Sequence, residues 1–597
     1  MKRIHYYIIC AFSAICGFSS CTDFLEIKPQ NEIILEDCWN EKADVEAVIA
    51  GCYMGLQEEA VIKRMMVWGE FRSDNIGPGS NVQSDGSLEK ILKENIDAKN
   101  SYTNWGGFYT VINRCNTVIK YAPEVAAADP SYTESELQAN IAEMVALRSL
   151  SYFYLIRAFR DVPFSREAYI DDDQTMDLPA TKFDAVLDSL IDDLEGVRNY
   201  AVKRYPITKE LYQTGRITQD AIHALLCELY LWKKDYQNCI RYADMVIESK
   251  KAIYEENRQK RNNSSSNNDE NLDRFNGFPL VGDSKTNNTY GNSYTTLFGS
   301  DRNYTDLVNQ EIIFQLVFDD SPSNNSMPAN GAVNSFYGNS QSTTGLVAPS
   351  DYIYAQIEAT GQERKVFADR NKKLDSRIYT NCLYSNSSSS SSDKAIRKYT
   401  SSSITIDAST GTLSASYSIY SQNQNGSNWV IYRLTDIMLM KAEALTQMMR
   451  EGSDAETSDY NRSLLDRAFV LVNAVNKRAL CQNQTQLADT LLRSNYSSKG
   501  DMETLVLQER QRELMFEGKR WFDLVRLSQR TGNTTTLKAA ALQKATTGEG
   551  LISNHLTKMD AIYWPYNLDE MKVNHNLVQN PAFGSGENES YEKTTKK

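Results

Sequence analysis

ETLVLQERQRELMFEGKRWFDLVRL, residues 503–527, sets Leu507, Leu514 and Trp521 at a seven-residue repeat, and Met515, Phe522 and Val525 widen the same apolar stripe. A stripe at helical period predicts one buried helix face. The residues between are charged: Glu509, Arg510, Arg512, Glu513, Glu517, Lys519, Arg520, Asp523 and Arg526. Several stand three or four apart, as Glu517/Arg520 and Lys519/Asp523 do, which predicts ion pairs along the helix surface. Their mixed sign argues against a nucleic-acid footprint. Gly518 interrupts the run and predicts a kink or a close approach of two backbones. A structural helix explains the stretch better than a catalytic one.

Outward from it, amphipathic segments recur in pairs. Val45, Val48, Ile49, Cys52, Tyr53 and Leu56 have three-four spacing, with Asp37 or Asn40 as the expected cap. Trp105–Tyr121 is the expected partner helix. Residues 136–160 are apolar on most of the helix circumference and must be buried on several sides. The segment from Phe183 returns against them. From Gly215 the chain has the Tyr…Trp-x-x-x-Asp-Tyr…Ala pattern of a tetratricopeptide helix pair, without the usual glycine before Asp235. Asp436–Leu445 and Leu464–Leu480 predict a fourth pair. Between the third and fourth pairs, residues 262–430 turn rich in Asn, Ser, Gly and Tyr, with strand-like runs at EIIFQLVF (311–318) and SITIDAS. The expected fold is therefore mainly α: tetratricopeptide-like helix pairs supporting a loop-rich region with short strands.

The 597 residues carry a net charge of −13, which disfavours nucleic acid as a partner. Lys2 and Arg3, the apolar run Ile4–Phe18 and Ser19-Ser20 before Cys21 read as a signal peptide over residues 1–20, with Cys21 the expected lipid anchor. The ten cysteines include no CxxC pair, so small core residues are expected rather than a disulfide framework or a zinc site. Four histidines at these spacings make no zinc motif. No nucleophile elbow or nucleotide loop is present, and no acidic pair stands out as a glycosidase couple. The reading is of a binding protein, with no catalytic residue, cofactor or metal assigned.

The stretch ERQRELMFEGKRWFDLVR also resembles the C-terminal signature of the SusD/RagB family of outer-membrane nutrient-binding lipoproteins. CTDFLEIKPQNEI from Cys21, WGGFYTVINRCNTVIKY, NWVIYRLTDIMLMKAEAL (428–445) and YWPYNLDEMKVNHNLVQNPAF (563–583) are similar to other blocks of that family. The resemblance implies an N-terminal region at 21–261, a variable ligand-facing region at 262–427 and a signature region at 428–597. It further implies an outer-membrane, cell-surface lipoprotein that binds an oligosaccharide and delivers it to a SusC-like TonB-dependent transporter. Peptide capture by the same lid, or a helical-repeat lipoprotein that scaffolds protein assembly, are the alternatives.

Sugar recognition needs aromatic rings and hydrogen-bonding side chains on positioned loops. Arg72, Asp74 and Asn75 of the early loop, and Tyr290, Tyr294, Phe336 and Tyr337 of the variable region, are the candidate ligand-binding residues. The competing reading is that Asp74 and Asn75 shape a turn and that the rings pin loops onto the scaffold.

Overall fold

The computed structural model describes residues 39–261, 275–282, 289–290, 292–298, 310–319, 328–338, 345–354, 366, 375–383, 395–407, 414–419, 425–481, 491–544 and 549–584. The signal sequence, Cys21, Asp37 and the serine run near residue 385 lie outside them.

Helix α1 (Lys42–Gln57) starts after Glu41, one residue beyond the expected Asn40 cap. The reason is Asp44, whose carboxylate accepts the backbone N–H groups of both Asn40 and Glu41 at 2.9 Å and satisfies the free helix end from inside. α2 (Glu59–Met66) runs into a π-helical turn at Val67–Phe71, then strand β1 (Ile76–Pro78) and α3 (Gly86–Leu92). α4 (Gly106–Ala128) packs against α1 and against α5 (Glu134–Phe159), in which every residue from Ala142 to Phe159 is buried. The short β2 (Val162–Pro163) and β3 (Ala180–Thr181) pair before α6 (Phe183–Val197).

The tetratricopeptide-like pair is α7 (Gln219–Lys233) and α8 (Tyr236–Arg261). Its turn needs a left-handed residue where a glycine is usual, and Lys234 adopts it, with φ 66° and ψ 19°. The fourth pair is α11 (Leu434–Gln447) with α12 (Ala455–Ala479).

Between these pairs, no described helix exceeds seven residues: α9 (Asn292–Phe298) and α10 (Gly331–Tyr337) are the longest. The strands are β4 (Thr289–Tyr290), β5 (Ile312–Leu316), β6 (Val347–Pro349), β7 (Cys382–Leu383), β8 (Ala395–Ile396), β9 (Ser401–Asp407), β10 (Ser414–Ile419) and β11 (Trp429–Arg433). They pair antiparallel as β1-β6, β5-β11, β7-β8 and β10-β9-β4. The β5-β11 ladder is buried along both strands and runs straight into α11, so it fastens the loop-rich region to the helices.

The opening stretch is two helices, α13 (Lys499–Leu514) and α14 (Arg520–Thr531), separated at Gly518, which has φ +70°. The apolar stripe is buried as expected at Leu514, Met515, Trp521, Phe522 and Val525. The charged residues do not lie on a surface. All nine are buried, and they pair mainly with other parts of the chain. Glu517 meets Arg433 at 2.8 Å rather than Arg520, whose partner is Asp74 at 2.9 Å. Lys519 meets Asp436 at 2.9 Å rather than Asp523, which binds Arg510 at 2.9 Å and Arg526 at 2.8 Å. Two pairs three residues apart form, Glu509–Arg512 at 3.1 Å and Asp523–Arg526 at 2.8 Å; most other partners are distant because the flanking layers cover both faces of the helices, and a buried charge must be met by whatever element covers it.

This burial makes stability acid-sensitive. Burial pushes the Glu443 carboxyl up, but Arg526 and Arg530 outweigh it and hold the group at about 2. For Glu513, Arg478, Arg433 and Arg377 likewise overcome burial and hold the carboxyl well below the usual range. A carboxyl depressed in the fold binds fewer protons there than in the unfolded chain, so its stabilisation is complete above the ordinary carboxylate range and is lost as pH falls towards 2. Urea unfolding at pH 6 and pH 3 should give a lower midpoint at pH 3, with Glu443 alone accounting for roughly 3 kcal/mol across the full window. Equal midpoints would contradict the ion-pair assignment.

Candidate functional site

The early loop and the loop-rich region meet through β1 and β6, where Ile76, Gly77 and Pro78 oppose Pro349, Ala348 and Val347. Ser350 N donates to Asn75 O at 2.9 Å, and Gly79 N donates to Leu346 O at 3.0 Å. A Cβ on Gly79 would lie 2.1 Å from Gly345 O, so the two backbones close to a distance that only glycine permits. Two segments about 270 residues apart in sequence thus form one ledge.

Beneath the ledge lie most of the residues singled out above. Arg72 is fully buried: it binds Glu94 at 2.7 Å, donates to Ala561 O at 2.7 Å and to Ile562 O at 3.0 Å, and stacks over Trp521 at 4.3 Å. Asp74 receives Arg520 through both carboxylate oxygens, at 2.9 and 3.0 Å. Asn75 donates to Glu70 at 2.7 Å and accepts from Gln511 at 2.8 Å. Glu70, in the π-helical turn, also accepts the backbone N–H groups of Phe516 at 2.9 Å, Lys519 at 3.0 Å and Arg520 at 3.3 Å. The early loop is therefore locked onto the break between α13 and α14.

The aromatic candidates behave in the same way. Phe336 is fully buried, edge-on to Phe71 at 4.8 Å, and Tyr337 donates to Phe516 O at 3.0 Å. Tyr294 is 2% exposed and donates to Glu513 at 2.8 Å, with the Arg478 guanidinium 4.5 Å over its ring. Tyr290 lies on β4, and its side chain is outside the described residues. The direct ligand contacts expected of Arg72, Asp74, Asn75, Tyr294, Phe336 and Tyr337 give way to internal partners. Three rings pin the loop-rich region to the scaffold, and Arg72, Asp74 and Asn75 are support rather than surface.

The exposed chemistry of the ledge comes from the segment that follows. Asn81, Gln83 and Ser84 are exposed, and Tyr102 donates to Asp85 of the same loop at 2.6 Å. The density of Asn, Gly and Ser over 73–87 is the sequence signal for this loop. No sequence feature marks Glu94 as the partner of Arg72, because that pairing is tertiary.

Two clefts on the helical scaffold contain none of the sequence candidates. One, of about 370 Å³, is lined by Tyr109, Asn113, Tyr152, Tyr169 and Met176. The other, of about 680 Å³, has Phe183, Trp232 and Tyr563 in its wall, with the Arg160–Asp560 and Lys182–Asp161 pairs at 3.1 and 2.7 Å. No cluster of three or more metal-ligating side chains occurs among the described residues. Burial lowers the pKa of His223, which lies in the core.

Comparison with known proteins covers both halves of the chain. Residues 278–583 match the model of the SusD family, and residues 23–231 match a model described as starch-binding associating with outer membrane. SusD-like protein P38 of Formosa agariphila is 25% identical over 572 residues, 95% of this chain and 96% of that protein. A SusD-like protein of Bacteroides ovatus is 25% identical over 227 residues, 37% of this chain and 38% of its own. Among solved structures, a laminarin binding SusD-like protein superposes with a TM-score of 0.58 at 19% identity, covering 91% of this chain and 100% of that one. Surface glycan-binding protein A from Bacteroides uniformis superposes with a TM-score of 0.58 at 17% identity over the same shares.

Proposed function

The chain belongs to the SusD family, and from that premise we propose that it captures a glycan on the ledge and hands it to a SusC-like TonB-dependent transporter. The observation that carries the reading is the β1-β6 junction. It joins the early loop to the variable region over a base held by the Arg72–Glu94 and Asp74–Arg520 pairs. A ligand surface needs such a rigid base beneath adaptable loops. Amides on the ledge can meet sugar hydroxyls in both donor and acceptor roles, and Tyr290 is the remaining aromatic candidate for a sugar face. The mechanism is capture and release without covalent change.

One family model carries the words associating with outer membrane, and no described helix is long and apolar enough to cross a membrane. Lipid on Cys21 would tether the body at the cell surface with the ledge free to meet ligand.

Laminarin is the first ligand to titrate, because a structural neighbour binds it, followed by glycan and peptide libraries. The double variant Asn81→Ala/Gln83→Ala should weaken glycan binding by about tenfold or more, the cost of two lost hydrogen bonds, with an unchanged melting temperature. Full affinity in that variant would move the site off the ledge. Binding only to peptides would replace the glycan reading.

A further inference from the structure

The six described cysteines are all buried, and two of them meet. Cys227 on α7 and Cys239 on α8 place their sulfurs 3.7 Å apart, in hydrogen-bond contact across the tetratricopeptide-like turn. The thiol pair thus bridges two helices that pack directly on one another. Both residues are 0% exposed.

We propose that Cys227 and Cys239 form a disulfide when the chain folds in an oxidising compartment. The inference rests on the reading of the chain as an exported protein, since disulfides persist outside the reducing cytosol. Closing the bond requires the sulfurs to move from 3.7 Å to about 2.05 Å, a shift of about 1.7 Å.

The oxidant is a disulfide, either of a dithiol oxidoreductase or of a small thiol. The thiolate of one cysteine attacks an oxidant sulfur and releases one oxidant thiol; the second thiolate then attacks the mixed disulfide and releases the other. Two protons leave the cysteines and two electrons reduce the oxidant. Burial and the contact with Cys239 push the Cys227 thiol well up, and neither residue is exposed to an oxidant in the packed protein. Oxidation therefore belongs to the folding chain, before α7 and α8 seal the pair.

The test uses the full chain exported with its leader and, separately, the chain from residue 22 refolded in a mixture of oxidised and reduced glutathione. Both are unfolded at low pH with an alkylating agent present, digested without reductant and analysed by mass spectrometry. The expected result is a linked peptide pair carrying Cys227 and Cys239, lighter by two hydrogens than the reduced peptides. The linked protein should also melt about 3 °C higher than the same protein refolded under reductant. Alkylated Cys227 and Cys239 in the glutathione-refolded chain, or either joined to another cysteine, would overturn the pairing. A bond that closes in glutathione but is missing from the exported chain would uphold the pairing and overturn the export reading instead.

Discussion

Replacing Glu513 by glutamine is expected to destabilise the protein by about 3–5 kcal/mol, enough to abolish folding in many single domains. Glu513 is fully buried and is met by Arg433 at 2.6 Å, by Arg377 at 3.2 Å, by Arg478 and by the Tyr294 hydroxyl at 2.8 Å. The three guanidiniums come from the start of the short helix after residue 375, from β11 and from α12, so one carboxylate ties three distant segments to α13. Glutamine keeps the size and removes the charge. The arginines keep Glu311, Glu509, Glu517 and Asp375 as partners, which Lys398 and Arg512 share; with residue 513 neutral these five cations face four carboxylates, and one positive charge is left uncompensated in a medium that solvates it poorly. The comparison is the urea midpoint of Glu513→Gln against Glu58→Gln, an exposed position. Similar midpoints for the two would mean that the buried cluster is solvated or already neutral.

Gly69→Ala should be nearly as damaging, at about 3 kcal/mol or more. A Cβ on Gly69 would stand 1.9 Å from the carbonyl oxygen of Gly518 and 2.5 Å from its carbon, both backbone atoms that no rotamer change can move. The π-helical turn at Val67–Phe71 and the break at Gly518 touch here. Glu70, next in sequence, accepts three backbone N–H groups from the other side of the same contact. Any widening to admit a methyl group would stretch those bonds and lift the early loop from its base. Gly51→Ala is the control, because nothing stands within 4 Å of its Cβ position. Both variants are read by thermal melting, and a Gly69→Ala protein as stable as the control would place the two backbones further apart than described. Reduced glycan binding by a folded Gly69→Ala protein would follow from the same displacement of the ledge.

Where periodicity was strong, the chain was legible. Helices α1 and α4 follow from three-four spacing because each buries one side against a neighbour, α5 from an apolar circumference because it is buried on several sides, and α7 with α8 from the tetratricopeptide pattern. The strand-like run at 311–318 became β5 for the reason its composition suggests, a short continuous apolar segment buried on both sides. The cap at Glu41 was less visible, because Asp44 satisfies the helix end from within. The loop-rich region was legible only as texture. Its rings sit among Asn, Ser and Gly in sequence, which suggests exposure, yet Phe336 and Tyr337 are covered by Phe71 and Phe516 from the two ends of the chain.

By itself, the sequence determined the helical scaffold and the glycine at which two backbones meet, because those depend on local period and on the absence of a side chain. Only the tertiary structure decided what the charges of 503–527 do and which loop residues face outward. A charged residue on a helix has the same local signature whether water or another segment covers it, and the partner that makes burial tolerable is supplied by a part of the chain up to 446 residues away.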